Sequence, residues 1–197
     1  MAGQTSADRG REARAKLLAA ARELIGELGW GAVSTRVLAE RAGVRPGLVH
    51  YHFESLQALL RRAVVDQMAE VLGPATAALE AADDPGSAVE AMLAELDRYS
   101  GTDPASLLFI EAYLAGTRDP ELHDQIAAVL RGFRAAFAEV LRRSGHRDPD
   151  GAAALVAAAF DGIVLHKGLD PDLSAARLAP LVRAIAEPNH ETKGTRE

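Results

Sequence analysis

Between Ser34 and Phe53 the chain reads STRVLAERAGVRPGLVHYHF, and its last part gathers hydrogen-bonding and stacking groups into a few residues. At helical spacing Val49 and Phe53 share one apolar face, which predicts that both belong to a core. Gly47, Leu48, His50 and Tyr51 fall on the other face. A tyrosine hydroxyl and an imidazole presented on an exposed helix suit contacts to phosphate oxygens or to base edges of a duplex. Thr35 and Arg36 lie ahead of these residues and suit contacts to phosphate, as do Arg9, Arg11, Arg14 and Lys16 further upstream, and Arg45 stands at the helix entrance as a further DNA-contact candidate. Such contacts add affinity without sequence preference. His52 is expected to pack against the start of the next helix.

Catalytic chemistry finds little support. The chain has no cysteine, which removes a thiolate nucleophile, a disulfide framework and a thiolate metal site. It has no glycine-rich phosphate loop and no Gly-x-Ser-x-Gly elbow. A single Glu-x-x-His spacing, Glu187 to His190, contains a proline and lacks the second copy that a di-iron bundle needs. The sequence therefore predicts no enzyme, no metal and no cofactor.

The elements that must hold the exposed face are legible from their punctuation. Ser34 or Thr35 can cap a short helix with Val37, Leu38 and Ala42 on its apolar side. Gly43 breaks that helix, Val44 turns inward, and Pro46 fits the first position of a second helix. Two short helices joined by a tight glycine turn make a helix-turn-helix, whose second helix enters the major groove. On these residues, RAGV at 41–44 and HYHF at 50–53, the chain resembles the TetR family of transcriptional regulators. The resemblance in sequence covers roughly residues 11–66. Two positions depart from the family pattern: His50 stands where a tyrosine is usual, and Leu56, in ESLQALL, where a phosphate-binding lysine is usual. The resemblance implies that Gly47 lets the backbone approach DNA closely, that Leu48 touches a thymine methyl and that Pro46 is among the DNA-binding residues.

Charge distribution agrees with a DNA-binding first third. The formal net charge is −6, yet residues 1–66 hold ten Lys/Arg against seven Asp/Glu, and residues 67–197 hold twelve against twenty-one. The longest apolar run, residues 152–160, is far short of the ~20 residues that span a bilayer. A cytoplasmic protein without a membrane partner is expected.

Elsewhere helical periodicity dominates and no alternating pattern competes with it. A first helix is predicted from Asp8 to Leu28, ended by Gly29-Trp30-Gly31, with Trp30 as a packing residue. Ser55 caps a long helix that Gly73-Pro74 should kink or interrupt. Asp-Pro pairs at 84–85, 103–104, 119–120, 148–149 and 170–171 each predict a helix start. Pro180 falls where the last helix should be continuous.

The sequence thus predicts an all-α fold of about nine helices. A mobile tail over 1–8 precedes a helix-turn-helix domain over 9–54 (motif 34–53). A helical ligand-binding and dimerisation domain over 55–187, entered by the long helix from 55, is followed by a mobile tail over 188–197. The resemblance implies a homodimer pairing through the last two long helices, with Ala152, Leu155, Ala159, Gly162, His166, Leu178, Leu181, Val182 and Ile185 at the interface. It also implies a small-molecule pocket, for which Met68, Leu72, Leu96, Tyr99, Phe109, Glu111, Tyr113, Phe133, Phe137 and Phe160 are the candidates. The expected function is a homodimeric repressor that binds a palindromic operator on double-stranded DNA and is released by an effector. The alternatives are an activator, or a helical scaffold that has lost DNA binding.

Overall fold

The computed structural model describes residues 6–187, in nine α-helices and one 3-10 turn, with no strand among them. In order these are α1 (Ser6–Leu28), the turn Trp30–Ala32, α2 (Thr35–Ala42), α3 (Gly47–His52), α4 (Leu56–Ala81), α5 (Pro85–Leu96), α6 (Pro104–Gly116), α7 (Pro120–Arg143), α8 (Pro149–Lys167) and α9 (Ala175–Ala186). The all-α expectation holds. Helix α1 begins at Ser6, so residues 6–8 of the expected tail are helical. The rest of that tail, the tail beyond 187 and His190 lie outside the described residues.

Capping explains most helix starts. Ser34 Oγ accepts from Val37 N, Ser55 Oγ from Ala58 N, Asp84 from Gly86 N and Ser87 N, Asp103 from Ser106 N, Asp119 from Leu122 N and Asp148 from Gly151 N. Each carboxylate or hydroxyl takes up N–H groups that the first helical turn leaves without a partner. Asp170-Pro171 is the exception. Asp170 is used in a turn, its carbonyl accepting from Leu173 N and its carboxylate from Asp172 N, and α9 starts only at Ala175. The cap of α9 comes instead from Asp97, which accepts from Ala175 N at 2.8 Å and Ala176 N at 3.1 Å.

The two internal prolines also differ from expectation or resolve it. Helix α4 is unbroken through Gly73-Pro74, and α9 continues through Pro180. Each proline removes one backbone donor. In α4 the carbonyl that loses its partner is that of Glu70, and buried Met68 and Leu79 anchor the helix on either side of Pro74.

The chain forms two compact units. The first contains residues up to Val71 together with Gly101–Val129; the second contains Leu72–Ser100 together with residues from Leu130 onward. In the first, α1 packs on α2, α3 and α6, and Leu17, Leu24, Ile25, Leu38, Val49, Leu59 and Leu60 are buried. The approach of α1 to α6 is close: a Cβ added at Gly26 would lie 2.3 Å from the Pro104 carbonyl oxygen. Arg61 pairs with Asp119 at 2.9 Å and with Glu121, tying α4 to the start of α7. In the second unit α5 packs chiefly on α9 and α8, around Leu79, Leu93, Phe137, Leu141 and Val156. Lys167, buried there, donates to the Leu96 carbonyl and to Asp97.

Candidate nucleic-acid interface

The helix-turn-helix is built as its sequence dictates. Gly43 caps α2 in the left-handed region at φ 63°, a conformation that a β-carbon disfavours, and Val44 N returns to the Ala39 carbonyl at 3.0 Å. Arg41 ties α2 to α1 by donating to Glu23 at 3.2 Å and to both carboxylate oxygens of Glu27 at 3.0 and 2.6 Å. The Arg41 hydrogen bonds hold the Glu27 carboxyl below the usual carboxylate range. Pro46 stands immediately before α3 in helical conformation, rather than as its first residue. Val49 is fully buried and anchors α3 to the unit's core.

The opposite face of α3 is open. Tyr51 is 79% exposed, and Arg36, Arg45, Pro46, Gly47 and His50 are exposed as well, with Thr35 and Leu48 half-buried. A Cβ added at Gly47 would meet nothing within 4 Å, and Gly47 is not among the glycines with positive φ. Neither backbone geometry nor packing therefore requires glycine at this position.

Ion pairs sort the basic residues of residues 1–66. Arg11 pairs with Asp8, Lys16 with Glu12, Arg22 with Glu70, Arg41 with Glu23 and Glu27, Arg61 with Asp119 and Glu121, and Arg62 with Asp66. Among the described residues, Arg9, Arg14, Arg36 and Arg45 have no carboxylate partner. They lie at the N-terminal part of α1, the start of α2 and the turn into α3, so the unneutralised positive charge is carried by the segments around α3. Arg14 lies 5.1 Å from the centroid of the Phe53 ring, which is half-buried rather than core as expected. The His52 ring meets Tyr51 edge-on at 4.9 Å and comes within 3.7 Å of a Cβ placed at Gly10 of α1.

Two family models match this chain. "Bacterial regulatory proteins, tetR family" matches residues 17–63, and "Tetracyclin repressor-like, C-terminal domain" matches residues 83–188. The chain belongs to the TetR family. It is 28% identical over 162 residues to the HTH-type transcriptional regulator BetI of Rhizobium meliloti (strain 1021), which covers 79% of this chain and 78% of BetI. Among solved structures, it is similar to the transcriptional regulator SCO7518 of Streptomyces coelicolor A3(2), with TM-score 0.72, 29% identity and coverage of 89% and 98%. A regulator of Saccharomonospora viridis in complex with choline shares the fold at TM-score 0.69 and 20% identity, covering 91% of this chain and 97% of that one. This TetR-family member is accordingly a DNA-binding transcriptional regulator, and no described helix is long and apolar enough to cross a membrane.

The residues expected in a ligand pocket come from both units. Met68, Phe109, Glu111 and Tyr113 belong to the first unit; Leu72, Leu96, Tyr99, Phe133, Phe137 and Phe160 belong to the second. Met68, Phe133 and Phe137 are buried, and the two phenylalanines pack at 6.5 Å as core. Tyr113 lies at the surface, and the Glu111 carboxylate is committed to the Trp30 backbone N–H at 2.8 Å. Leu72, Leu96 and Phe160 pack partly on the second unit's core, whereas Tyr99 lines an open cleft of about 430 Å3 with Asp97, Arg98, Lys167, Leu173 and Ser174. Another open cleft, of about 330 Å3, lies among Glu80, Asp83, Pro85, Val140, Arg143 and Ser144, none of them anticipated.

The residues expected at a dimer interface divide as well. Ala152 and Val182 are buried within the second unit's own core, and Ala159, Leu178 and Ile185 pack partly on it. Leu155, His166 and Leu181 are exposed, and a Cβ at Gly162 would meet nothing. Leu165 and Leu169, not anticipated, are 49% and 84% exposed.

Proposed function

We propose that this regulator is a homodimeric repressor that reads a palindromic operator through α3 and is released by a small-molecule effector. The observation that carries the DNA reading is the open face of α3. Tyr51 and His50 project beside a glycine that the protein's own packing does not require, flanked by arginines without carboxylate partners. Tyr51 and His50 make the contacts that depend on sequence. Leu48 meets a thymine methyl, and Pro46 and Gly47 admit the DNA backbone, while Thr35, Arg36 and Arg45 hold phosphates.

Dimerisation is supported by the exposed leucines at 155, 165, 169 and 181 on α8, the turn after it and α9, an apolar surface that a solvated monomer would leave uncovered. Two copies would set their recognition helices ~34–36 Å apart, on successive major grooves of a two-fold operator. An effector acts only through a higher affinity for the conformation that does not bind DNA. Choline in the Saccharomonospora viridis regulator and stearoyl-CoA in FadR of Bacillus subtilis, both of this fold, support ligand responsiveness as a property to test.

The test is binding of the purified protein to duplexes from the promoter regions flanking its own gene, with Tyr51→Ala as control. Protection of a palindrome by wild type, lost in Tyr51→Ala while the oligomeric state is unchanged, is the expected outcome. Equal binding by the two proteins would overturn the assignment of α3. Operator affinity unchanged by saturation with a bound ligand would exclude that ligand as effector.

A further inference from the structure

Trp30, in the turn between α1 and α2, is held at two points by residues distant in sequence. Its backbone N–H donates to Glu111 Oε2 in α6 at 2.8 Å, and its indole Nε1–H donates to Gln57 Oε1 in the first turn of α4 at 3.0 Å. The preceding residue, Gly29, has φ 84°, and a Cβ there would lie 3.3 Å from Glu111 Oε2. The turn thus accommodates Glu111 at a glycine that its backbone angle requires, with Glu111 close enough that a Cβ would press on it. The carboxylate-to-amide bond is charge-assisted and is the stronger of the two links.

The position of Gln57 gives these bonds a consequence for DNA. Only residues 53–55 separate the end of α3 from the start of α4, and Phe53 N is still bonded to the Val49 carbonyl. Whatever holds the first turn of α4 therefore holds the exit of the recognition helix. We infer that Glu111, Trp30 and Gln57 form a positioning relay that fixes the recognition helix for specific DNA binding. This inference rests on the DNA-binding reading above. None of the three residues needs to touch the operator.

Specific binding requires several side chains of α3 to meet their partners together, whereas phosphate contacts by mobile arginines tolerate small displacements. The relay therefore contributes to discrimination between operator and random DNA, not to affinity for DNA in general. Trp30→Phe removes the indole donor and keeps most of the ring's packing. Glu111→Ala removes the acceptor, and Glu111→Gln retains a carbonyl oxygen in its place.

The experiment measures affinity for the protected promoter duplex and for a scrambled duplex of equal length. It is run on wild type and the three variants well below their melting temperatures, with thermal unfolding recorded for each. Trp30→Phe and Glu111→Ala are expected to lower the operator-to-scrambled ratio by about three- to ten-fold, the scale of one hydrogen bond, with scrambled-DNA affinity and salt dependence unchanged. Glu111→Gln should recover most of the ratio. A ratio equal to that of wild type in both variants overturns the relay alone. So does a parallel fall in both affinities that follows lost stability. A wild-type protein that does not discriminate overturns the DNA-binding reading and the relay with it.

Discussion

Replacing Gly47 by alanine separates what the protein requires from what a partner requires. Gly47 opens α3, its φ is not positive, and a Cβ built there meets no atom within 4 Å. In the free protein the substitution removes only a glycine's excess conformational entropy, so stability should hold or rise by up to about 1 kcal/mol. A phosphate or base edge drawn up to this point would meet the new methyl group. Displacing one good polar contact costs about 1–3 kcal/mol, or about 5- to 150-fold in affinity per half-site. Fluorescence anisotropy on the promoter duplex, paired with thermal unfolding, reads both quantities on one sample. The reasoning predicts a variant at least as stable as wild type that binds the operator markedly less well. Unchanged affinity would refute the close approach of DNA to Gly47, and a clear loss of stability would refute the claim that the protein leaves this position free.

Other substitutions probe the scaffold. Gly26→Ala places a methyl carbon against the Pro104 carbonyl and should destabilise by about 1–3 kcal/mol in urea unfolding, whereas an unchanged midpoint would contradict the closeness of α1 and α6. For the Asp97 carboxyl, burial acts upward, but the N–H groups of Ala175 and Ala176 and the Lys167 ammonium outweigh it and hold the group below its ordinary value. A group depressed in this way stabilises the fold above its unfolded value near ~3.9 and loses that contribution as pH falls through the folded value. Asp97→Ala should therefore cost about 1–2 kcal/mol at neutral pH, with a difference from wild type that narrows in acid; a difference independent of pH would contradict this. Leu181→Glu, at a side chain 69% exposed, should leave helicity intact and convert the proposed dimer to monomer in sedimentation, and a persistent dimer would move the interface elsewhere.

What the sequence disclosed and what it hid follow from the range of the interactions. Ser34, Gly43, Ser55 and the Asp-Pro pairs at 84, 103, 119 and 148 act on groups within a few residues, so their caps and turns were legible from spacing alone. The open face of α3 was legible for the same reason, because period and burial coincide in a six-residue helix anchored by Val49. Asp97 capping α9 from 78 residues away and Glu111 holding Trp30 from 81 residues away leave no local trace. Leu155 and Val182 show the remaining ambiguity. Both are apolar residues at helical spacing, yet one is exposed and the other buried, and the sequence marks an apolar stripe without saying what covers it. Pro74 does not end α4, because burial of Met68 and Leu79 on either side of it offsets the cost of the missing donor.

Arg9, Arg14, Arg36 and Arg45, without carboxylate partners around α3, are expected to meet the phosphates of a specific duplex. The most direct measurement is the salt dependence of binding to the promoter duplex and to its scrambled counterpart. Four such residues in each of two subunits would release up to about eight counterions, so log K against log salt should approach a slope of about −7, with the operator favoured throughout. A slope near zero, or equal affinity for the two duplexes at every salt concentration, would contradict it.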